Sequence, residues 1–188
     1  VWKDPKEIVH EVVLVNRLLD RLGIGESPSK LRVFPDPARV SSAQQILHAR
    51  LGHHVGNPVG LHISARSQDR RWPAEKFVDL VRMLYEQYRC GFALFWSPGP
   101  DDNPLHPGDD REARAIIEAV RMLPIHGFRT DDLDDLIAGL SLCKTVICSD
   151  GGAMHLAAAL GKKIVCFFGR EYPERWRPWG VPHALLRP

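Results

Sequence analysis

The segment at residues 146–163 carries residue types suited to binding an anion and a sugar. An apolar stretch typical of a buried strand runs to Cys148, and Asp150, Gly151 and Gly152 follow just before an Ala-rich stretch typical of a helix. A helix placed after a parallel strand directs free backbone N–H groups and the positive end of its dipole at the strand's carboxyl end, where an anion is favoured. Glycines there let a phosphate approach the backbone closely.

Three further side chains belong to this segment. Asp150 is suited either to cap the helix or to accept hydrogen bonds from sugar hydroxyls. Ala153 opens the predicted helix, and His155 lies in its first turn, from where its ring can point at the same space. The alternative interpretation is that Asp150 is only a cap, the glycines only a turn and His155 a surface residue. Such junctions are common in α/β folds, so spacing alone leaves both interpretations open.

A second polar cluster follows another predicted strand. Ser64 and Ala65 are small and leave backbone N–H groups accessible, whereas Arg66 and Arg70 carry guanidinium groups that make forked hydrogen bonds to phosphate oxygens. A third arginine, Arg71, comes next. An isolated basic run is usually a solvated surface loop. Its place after a central strand, where open α/β sheets bind ligands, favours the functional interpretation.

Two familiar nucleotide-binding motifs are absent from the sequence. No GxGxxG follows any predicted strand, and Gly161-Lys162-Lys163 lacks the upstream glycine and the trailing Ser or Thr of a P-loop. A phosphate site in this chain must therefore use another arrangement.

Alternating strands and helices are predicted to position the two clusters. Strands are predicted at residues 31–35, 59–63, 91–96, 125–127, 145–148 and 163–168, and helices at 5–22, 37–51, 73–88, 110–123, 131–142 and 153–160. This order predicts an α/β fold with a Rossmann-like, doubly wound parallel sheet covered on both faces. The tail after residue 169, rich in Pro and aromatic residues, is predicted to be irregular.

Composition limits the classes of function. The 188 residues suit one domain, and the 44% hydrophobic and 26% charged residues are ordinary for a globular chain. Lys plus Arg number 25 against 23 Asp plus Glu, so no global field would recruit nucleic acid, and we expect no nucleic-acid partner. No apolar run is long enough to span a bilayer and no signal peptide is recognisable, which predicts a cytoplasmic protein.

The four cysteines predict neither a metal site nor a disulfide framework. They form no CxxC pair and have no paired histidines at metal-ligand spacing. Three lie in or beside apolar runs, where a thiol acts as a small hydrophobe. We therefore expect reduced thiols and no bound metal.

Together the two clusters resemble glycosyltransferase family 9, the ADP-heptose:lipopolysaccharide heptosyltransferases, over residues 59–180. Members carry a small-residue loop, a basic residue and Trp-Pro, similar to Ser64-Ala65-Arg66 and Arg70-Arg71-Trp72-Pro73. Later they carry Asp-Thr/Ser-Gly-x-x-His-x-x-Ala-Ala, a Gly-Lys/Arg-Pro strand entry and Phe/Tyr-Gly. Residues 150–159, 161–163 and 168–169 are similar to these parts in the same order. Residues 10–24 agree more weakly.

The resemblance implies the C-terminal, donor-binding half of a GT-B fold, which has two Rossmann-like domains with the active site between them. Residues 1–58 would be a linker helix and leading segment, and residues 59–188 the nucleotide-sugar-binding domain. The N-terminal domain, which in this family holds the catalytic base and the acceptor site, is expected to lie outside this sequence. No catalytic residue is therefore expected in this chain, and the fragment alone is expected to be inactive.

The resemblance also implies roles for named residues and a set of ligands. Ser64, Ala65, Arg66 and Arg70 would lie near the donor phosphates, Asp150, Gly151, Gly152, Ala153 and His155 near the phosphates and sugar, and Asp110 or Glu112 near the ribose. The donor would be ADP-heptose, with no cofactor and no metal, and the acceptor an inner-core lipopolysaccharide bound through the other domain. The full enzyme would be an inverting one, cytoplasmic and peripherally associated with the inner face of the inner membrane.

Three departures from the family pattern leave the donor open. Gly151 stands where Thr or Ser is usual, Arg66 where a small hydroxyl residue is common, and Lys163 where Pro is usual. The alternatives are the donor half of another GT-B sugar-nucleotide enzyme, an epimerase with a similar donor half, or a non-enzymatic nucleotide-binding module. The last would be favoured if Arg66 and Arg70 pointed away from Asp150.

Overall fold

The computed structural model describes residues 8–25, 27–52, 58–67, 70–103, 107–169 and 172–187. Its strands are β1 Val59–His62, β2 Phe92–Trp96, β3 Ile125–Arg129, β4 Thr145–Ser149, β5 Lys163–Phe167 and β6 His183–Leu186. Its helices are α1 Glu11–Asp20, α2 Pro37–Leu51, α3 Ala74–Tyr88, α4 Asp110–Ala119, α5 Leu133–Ser141, α6 Gly152–Ala159 and α7 Pro173–Trp176. None of these helices is long and apolar enough to cross a membrane.

All six strands run parallel, in the order β3-β2-β1-β4-β5-β6. The central strands β1 and β4 are paired with Leu61 opposite Ile147 and His62 opposite Cys148. From β1 the chain builds outward to β3, then returns to add β4 on the other side. At such a reversal the loops after the two central strands diverge and leave a crevice at their carboxyl ends. The predicted doubly wound parallel sheet is confirmed.

Helices cover both faces of the sheet, and strand β2 shows the consequence. Phe92 and Leu94 pack with residues of α3 and α4 on one face, whereas Ala93 and Phe95 pack with residues of α2, α5 and α6 on the other. Successive strand residues point to opposite faces, so a strand covered on both sides must be apolar throughout. All four side chains are fully buried.

Helix α2 belongs to the same packed body as the sheet. Its Leu47 and Leu51 are buried in the cluster that contains Phe95. The Asp36 carboxylate accepts hydrogen bonds from two backbone N–H groups of the first turn, and Gly52, with a φ of 54°, ends the helix. The helix predicted at residues 37–51 is confirmed.

Helix α1 is held against the C-terminal tail. It was predicted from residue 5 but begins at Glu11, and residues 1–7 lie outside the described part of the chain. Nδ1 of His10 accepts a hydrogen bond from the first turn of the helix, and its Nε2 donates to the carbonyl of Arg177 at 2.8 Å. Glu11 pairs with Arg175 at 2.6 Å. The two ends of the described chain therefore meet.

One predicted strand is absent, one observed strand was not predicted, and a third strand is longer than predicted. Residues 31–35 alternate between half-buried and exposed, as a strand would, but no strand pairs with them and they are irregular. The tail, predicted to be irregular, forms α7 and β6, and β6 pairs with β5 through Ile164 and His183. Strand β3 continues to Arg129, two residues beyond its predicted end. In each case the deciding factor is a pairing partner far away in the sequence.

Candidate functional site

A cleft of about 860 Å³ opens at the carboxyl ends of β1 and β4. Its walls come from the loops after β1 and β2, the residues after β3 and the turn after β4. Eight of the predicted site residues line it: Ser64, Ala65, Arg66, Arg70, Asp150, Gly151, Gly152 and Ala153. The structure thus brings the two sequence clusters together at the crevice that the strand order creates.

The turn after β4 presents bare backbone to the cleft. Helix α6 begins at Gly152, with Gly151 as its N-cap residue, and no side chain caps it. Backbone geometry does not require glycine here, because Gly151 has an extended φ of 166° and Gly152 is helical. A Cβ on either residue would meet no protein atom within 4 Å. The missing side chains therefore leave open space before the first N–H groups of α6, where an anion is favoured.

Asp150 does not cap the helix, so the interpretation of this residue as only a cap is wrong. Its side chain is 8% exposed, and its Oδ2 lies 3.4 Å from Nη1 of Arg70. Its backbone N–H donates to the carbonyl of Phe167 at 3.1 Å, which ties the turn to the end of β5. The carboxylate therefore faces the cleft from a fixed backbone.

The three arginines of the loop after β1 take different places. Arg70 is one-third exposed and faces Asp150, and Arg66 is exposed on the wall of the cleft. Arg71 turns away from the cleft and pairs with the buried carboxylate of Asp109 at 2.5 Å. Two of the three guanidinium groups are therefore placed to meet an anion.

His155 lines an adjoining cavity of about 360 Å³ rather than the main cleft. Arg70, Asp150 and Trp176 form other parts of its wall. Burial lowers the pKa of His155, and the nearby Asp150 charge only partly opposes this. The imidazole is therefore neutral at neutral pH, with one nitrogen to donate and one to accept. Sequence reasoning missed Trp176, whose only signal was the aromatic content of the tail.

Asp110 is not on the wall of the cleft. Its carboxylate accepts hydrogen bonds from Nε1 of Trp96 at 2.8 Å and from the N–H of Gly99 at 3.0 Å, and the Trp96 bond in particular lowers its pKa. Glu112, the other candidate for the ribose, accepts hydrogen bonds from Arg111. The ribose-binding role stays a prediction, and the observed contacts of Asp110 give it a structural role at the start of α4.

Residues after β3, which sequence reasoning did not single out, also line the cleft. Thr130 donates to a backbone carbonyl of β2 at 2.8 Å, and Asp132 caps α5 and pairs with Arg39 at 2.8 Å. Leu133 and Leu136 face the cleft beside them. Because the polar groups are engaged in the protein, the leucines leave an apolar wall suited to a flat ring.

Two buried polar side chains at the ends of the central strands also line the cleft. Burial lowers the pKa of His62 to about 4, although a hydrogen bond with the Ser64 backbone opposes this. The Ser149 hydroxyl oxygen is buried and has no hydrogen-bond partner within the described ranges. Neither residue was predicted, since both lie inside apolar strand patterns.

The described residues contain no group of three or more His, Cys, Asp or Glu side chains that could hold a metal ion. The four cysteines are free thiols, and three of them are buried. Burial raises the pKa of Cys143 to about 12, so this thiol stays protonated at neutral pH.

A parallel sheet with a cleft at the reversal of its strand order is the architecture of the doubly wound, Rossmann-like α/β domains. A model of glycosyltransferase family 9 (heptosyltransferase) matches residues 34–187. The chain therefore belongs to this family.

Individual relatives are distant and longer. The chain is 24% identical over 118 residues to lipooligosaccharide heptosyltransferase 2 of Haemophilus influenzae, which covers 63% of this chain and 32% of that protein. The crystal structure of the glycosyl transferase family 9 from Veillonella parvula has a TM-score of 0.79 at 22% identity, over 96% of this chain and 50% of that one. The E. coli heptosyltransferase WaaC with ADP has a TM-score of 0.64 at 19% identity, over 91% and 48%. The chain thus spans about a third of this curated relative and half of these structures, whose likeness shows the GT-B half-fold.

Proposed function

We propose that the cleft binds the diphosphate of a nucleotide-sugar donor, so that this chain forms the donor side of a heptosyltransferase. The observation that carries the proposal is the convergence of Arg66, Arg70 and the bare backbone of Gly151 and Gly152 on one cleft. Guanidinium groups bind phosphate oxygens through forked hydrogen bonds, and a helix N-terminus adds N–H donors.

The donor is proposed to lie along the cleft with its base at the apolar wall of Leu133 and Leu136. The main cleft and the adjoining cavity share Arg70, Asp150 and the two glycines as walls. A diphosphate at that junction directs the sugar toward Asp150 and His155, whose oxygens and ring nitrogens suit hydroxyl groups.

The proposed reaction is an inverting transfer. The acceptor hydroxyl oxygen bonds to the anomeric carbon as the bond from that carbon to the diphosphate oxygen breaks, and the nucleoside diphosphate leaves with the electron pair. Arg66, Arg70 and the N-terminus of α6 stabilise the charge on the leaving group. The base that takes the proton of the acceptor hydroxyl is proposed to come from a second domain, and this chain alone is then expected to transfer no sugar.

The proposed donor is ADP-heptose and the proposed acceptor an inner-core lipopolysaccharide. The relatives support both, since the Haemophilus influenzae protein is a lipooligosaccharide heptosyltransferase and E. coli WaaC has been solved with ADP and with ADP-2-deoxy-2-fluoro heptose. Such an acceptor would bring the complete enzyme to the inner face of the inner membrane.

We propose that no metal and no cofactor take part in donor binding. Arg66, Arg70 and the helix dipole together supply positive charge at the place where a diphosphate would otherwise need a divalent cation. Binding of ADP should therefore be the same in EDTA as in magnesium, and affinity that depends on magnesium would contradict the proposal.

Calorimetry with ADP, UDP and GDP tests the donor site. We expect ADP to bind most tightly and the paired substitution Arg66→Met with Arg70→Met to abolish detectable binding. Arg82→Met is the matched control, because Arg82 only donates to the Ala119 carbonyl between α3 and α4, away from the cleft. A preference for UDP or GDP would favour another GT-B donor half, and undiminished binding in the paired variant would exclude this cleft.

The non-enzymatic module is not favoured by the arginine geometry. Arg66 and Arg70 pointing away from Asp150 would have favoured that alternative, whereas Nη1 of Arg70 lies 3.4 Å from the Asp150 carboxylate.

A further inference from the structure

Arg71 joins two loops that form walls of the cleft. Its Nε donates to the carbonyl of Ala65 in the loop after β1 at 2.9 Å, and its Nη2 donates to the carbonyl of Pro107 in the loop after β2 at 2.8 Å. Its Nη1 lies 2.5 Å from Oδ1 of Asp109. The side chain is 14% exposed, so its guanidinium group is directed into the protein and not at a ligand.

Ser64 makes a second connection between the same loops. Its Oγ accepts a hydrogen bond from the N–H of Ser97, the first residue after β2, at 2.7 Å. Ser64 therefore ties the loop after β1 to the start of the loop after β2.

Asp109 is the buried partner of Arg71. Its side chain is 1% exposed, and burial raises its pKa, while the neighbouring Ser64 hydroxyl and the Arg71 charge oppose that shift. A buried carboxylate destabilises a protein unless it is paired and hydrogen-bonded. Loss of Arg71 therefore leaves a buried charge that the loops must open to hydrate.

We propose that Arg71, Asp109 and Ser64 form a loop clamp, in which Arg71 is a positioning residue for the phosphate-binding loop and not a phosphate ligand. The statement about the phosphate ligand rests on the proposed function. A loop that is ordered before the ligand arrives loses less conformational entropy on binding, so the clamp raises affinity without touching the ligand. It holds the backbone of Ser64 and Ala65 open and presents Arg66 and Arg70 to the cleft.

Amide hydrogen exchange on the ligand-free chain tests the clamp directly. In Arg71→Met, we expect exchange of the Ser97, Gly108 and Asp109 amides to rise about tenfold or more, because a hydrogen-bonded charge pair is lost. Amides of α6, such as that of His155, should exchange at the wild-type rate. Unchanged exchange in the loops, or an equal rise in α6, would overturn the clamp.

Two further variants complete the exchange experiment, one as a control and one as a second test. Arg82→Met removes an arginine hydrogen bond to a carbonyl elsewhere, at 3.1 Å from Ala119, and should leave the loop amides unchanged. If Arg71→Met does not fold, Ser64→Ala deletes a single hydroxyl and must still raise exchange at Ser97. A wild-type rate at Ser97 in Ser64→Ala would overturn the clamp.

Calorimetry with ADP at several salt concentrations distinguishes a positioning residue from a ligand. A direct contact with the diphosphate is screened by salt, so Arg70→Met should flatten the salt dependence of the Kd. Arg71→Met should instead raise the Kd about tenfold with the wild-type salt dependence. A flattened dependence in Arg71→Met would overturn the positioning role. If the wild-type chain does not bind ADP, the proposed function fails, while the exchange experiment still decides the clamp.

Discussion

The turn after β4 and the loop after β1 form two walls of one cleft but are held in different ways. The turn is short and is fixed by its own backbone, with the Asp150 N–H bonded to the Phe167 carbonyl and α6 starting two residues later. The loop is fixed by side chains. Ser64 and Arg71 bind groups that lie 33 and 36 positions away along the chain.

Because of this difference, a substitution in the β4 turn should change ligand binding without changing stability, whereas one in the loop after β1 should change both. A side chain added to the β4 turn would fill the cleft without touching protein, so it would affect the ligand alone. Removal of the Arg71 side chain leaves the buried Asp109 carboxylate without its partner, so it affects folding and binding together. Substitutions on both walls test this contrast, in order of the expected effect.

Gly151→Val should abolish most ADP binding and leave the fold intact. The new side chain has open space on the protein side and an allowed backbone conformation, but it stands before the first N–H groups of α6. We expect the affinity for ADP to fall more than about 100-fold, since several hydrogen bonds to a charged ligand are lost. The free energy of unfolding should change by less than about 0.5 kcal/mol. Calorimetry and urea denaturation measure the two quantities.

Gly139→Ala is the matched control for Gly151→Val. A Cβ at this position in α5 would overlap the ring of Phe95 in the core. We expect a loss of about 1–3 kcal/mol in unfolding free energy from overpacking, while the folded protein keeps its affinity for ADP. Wild-type affinity in Gly151→Val would contradict the assignment of this turn to the anion site.

His62, at the end of β1, makes the stability of the folded protein sensitive to acid. Burial holds its pKa at about 4, below the usual value of 6.5, so the unfolded chain binds more protons than the folded one between these values. Stability should be fully present above pH 6.5 and fall as the pH decreases to 4, by about 3 kcal/mol at most. Urea denaturation of the wild type and of His62→Gln across this range isolates the contribution. Equal acid sensitivity of the two proteins would contradict it.

The same contrast explains what the sequence could predict. The strand, glycine turn and helix around Asp150 were predicted to within one residue, because they are local patterns. The parallel sheet covered on both faces followed from the alternation of elements, whereas the strand order was not predicted. The inward turn of Arg71 was not predictable, since its partners at Pro107 and Asp109 are set by the packing of another loop.

Other contacts and strands that the sequence did not show have the same physical origin. The indole N–H of Trp96 and the N–H of Gly99 bind the Asp110 carboxylate in the folded chain, while its ribose-binding role stays a prediction. Strand β6 has a short and partly exposed sequence, and it becomes a strand through its pairing with β5. Residues 31–35 show the reverse, a strand-like alternation without a partner.

Arg70 and Arg66 should differ in what they contribute to ADP binding. Arg70 is oriented by Asp150 before a ligand arrives, whereas Arg66 is exposed and must be ordered on binding. We expect Arg70→Met to weaken ADP binding by about 1.5–3 kcal/mol and Arg66→Met by less. Calorimetry of the two single variants measures the difference, and a larger effect at Arg66 would show that the ion pair with Asp150 competes with the ligand.

Asp150→Asn should distinguish the contribution of Asp150 to sugar binding from its contribution to diphosphate binding. A carboxylate beside a diphosphate repels it, so removing the charge should leave ADP affinity unchanged or slightly improved, and it also releases Arg70 from its ion pair. If the carboxylate accepts hydrogen bonds from sugar hydroxyls, affinity for the intact ADP-sugar should fall about tenfold, or about 1.5 kcal/mol. Calorimetry of ADP and of ADP-heptose against both proteins compares the two effects. Equal losses for both ligands would mean that Asp150 acts only by orienting Arg70, and the sugar would then have to be recognised by groups such as His155 and Trp176 in the adjoining cavity.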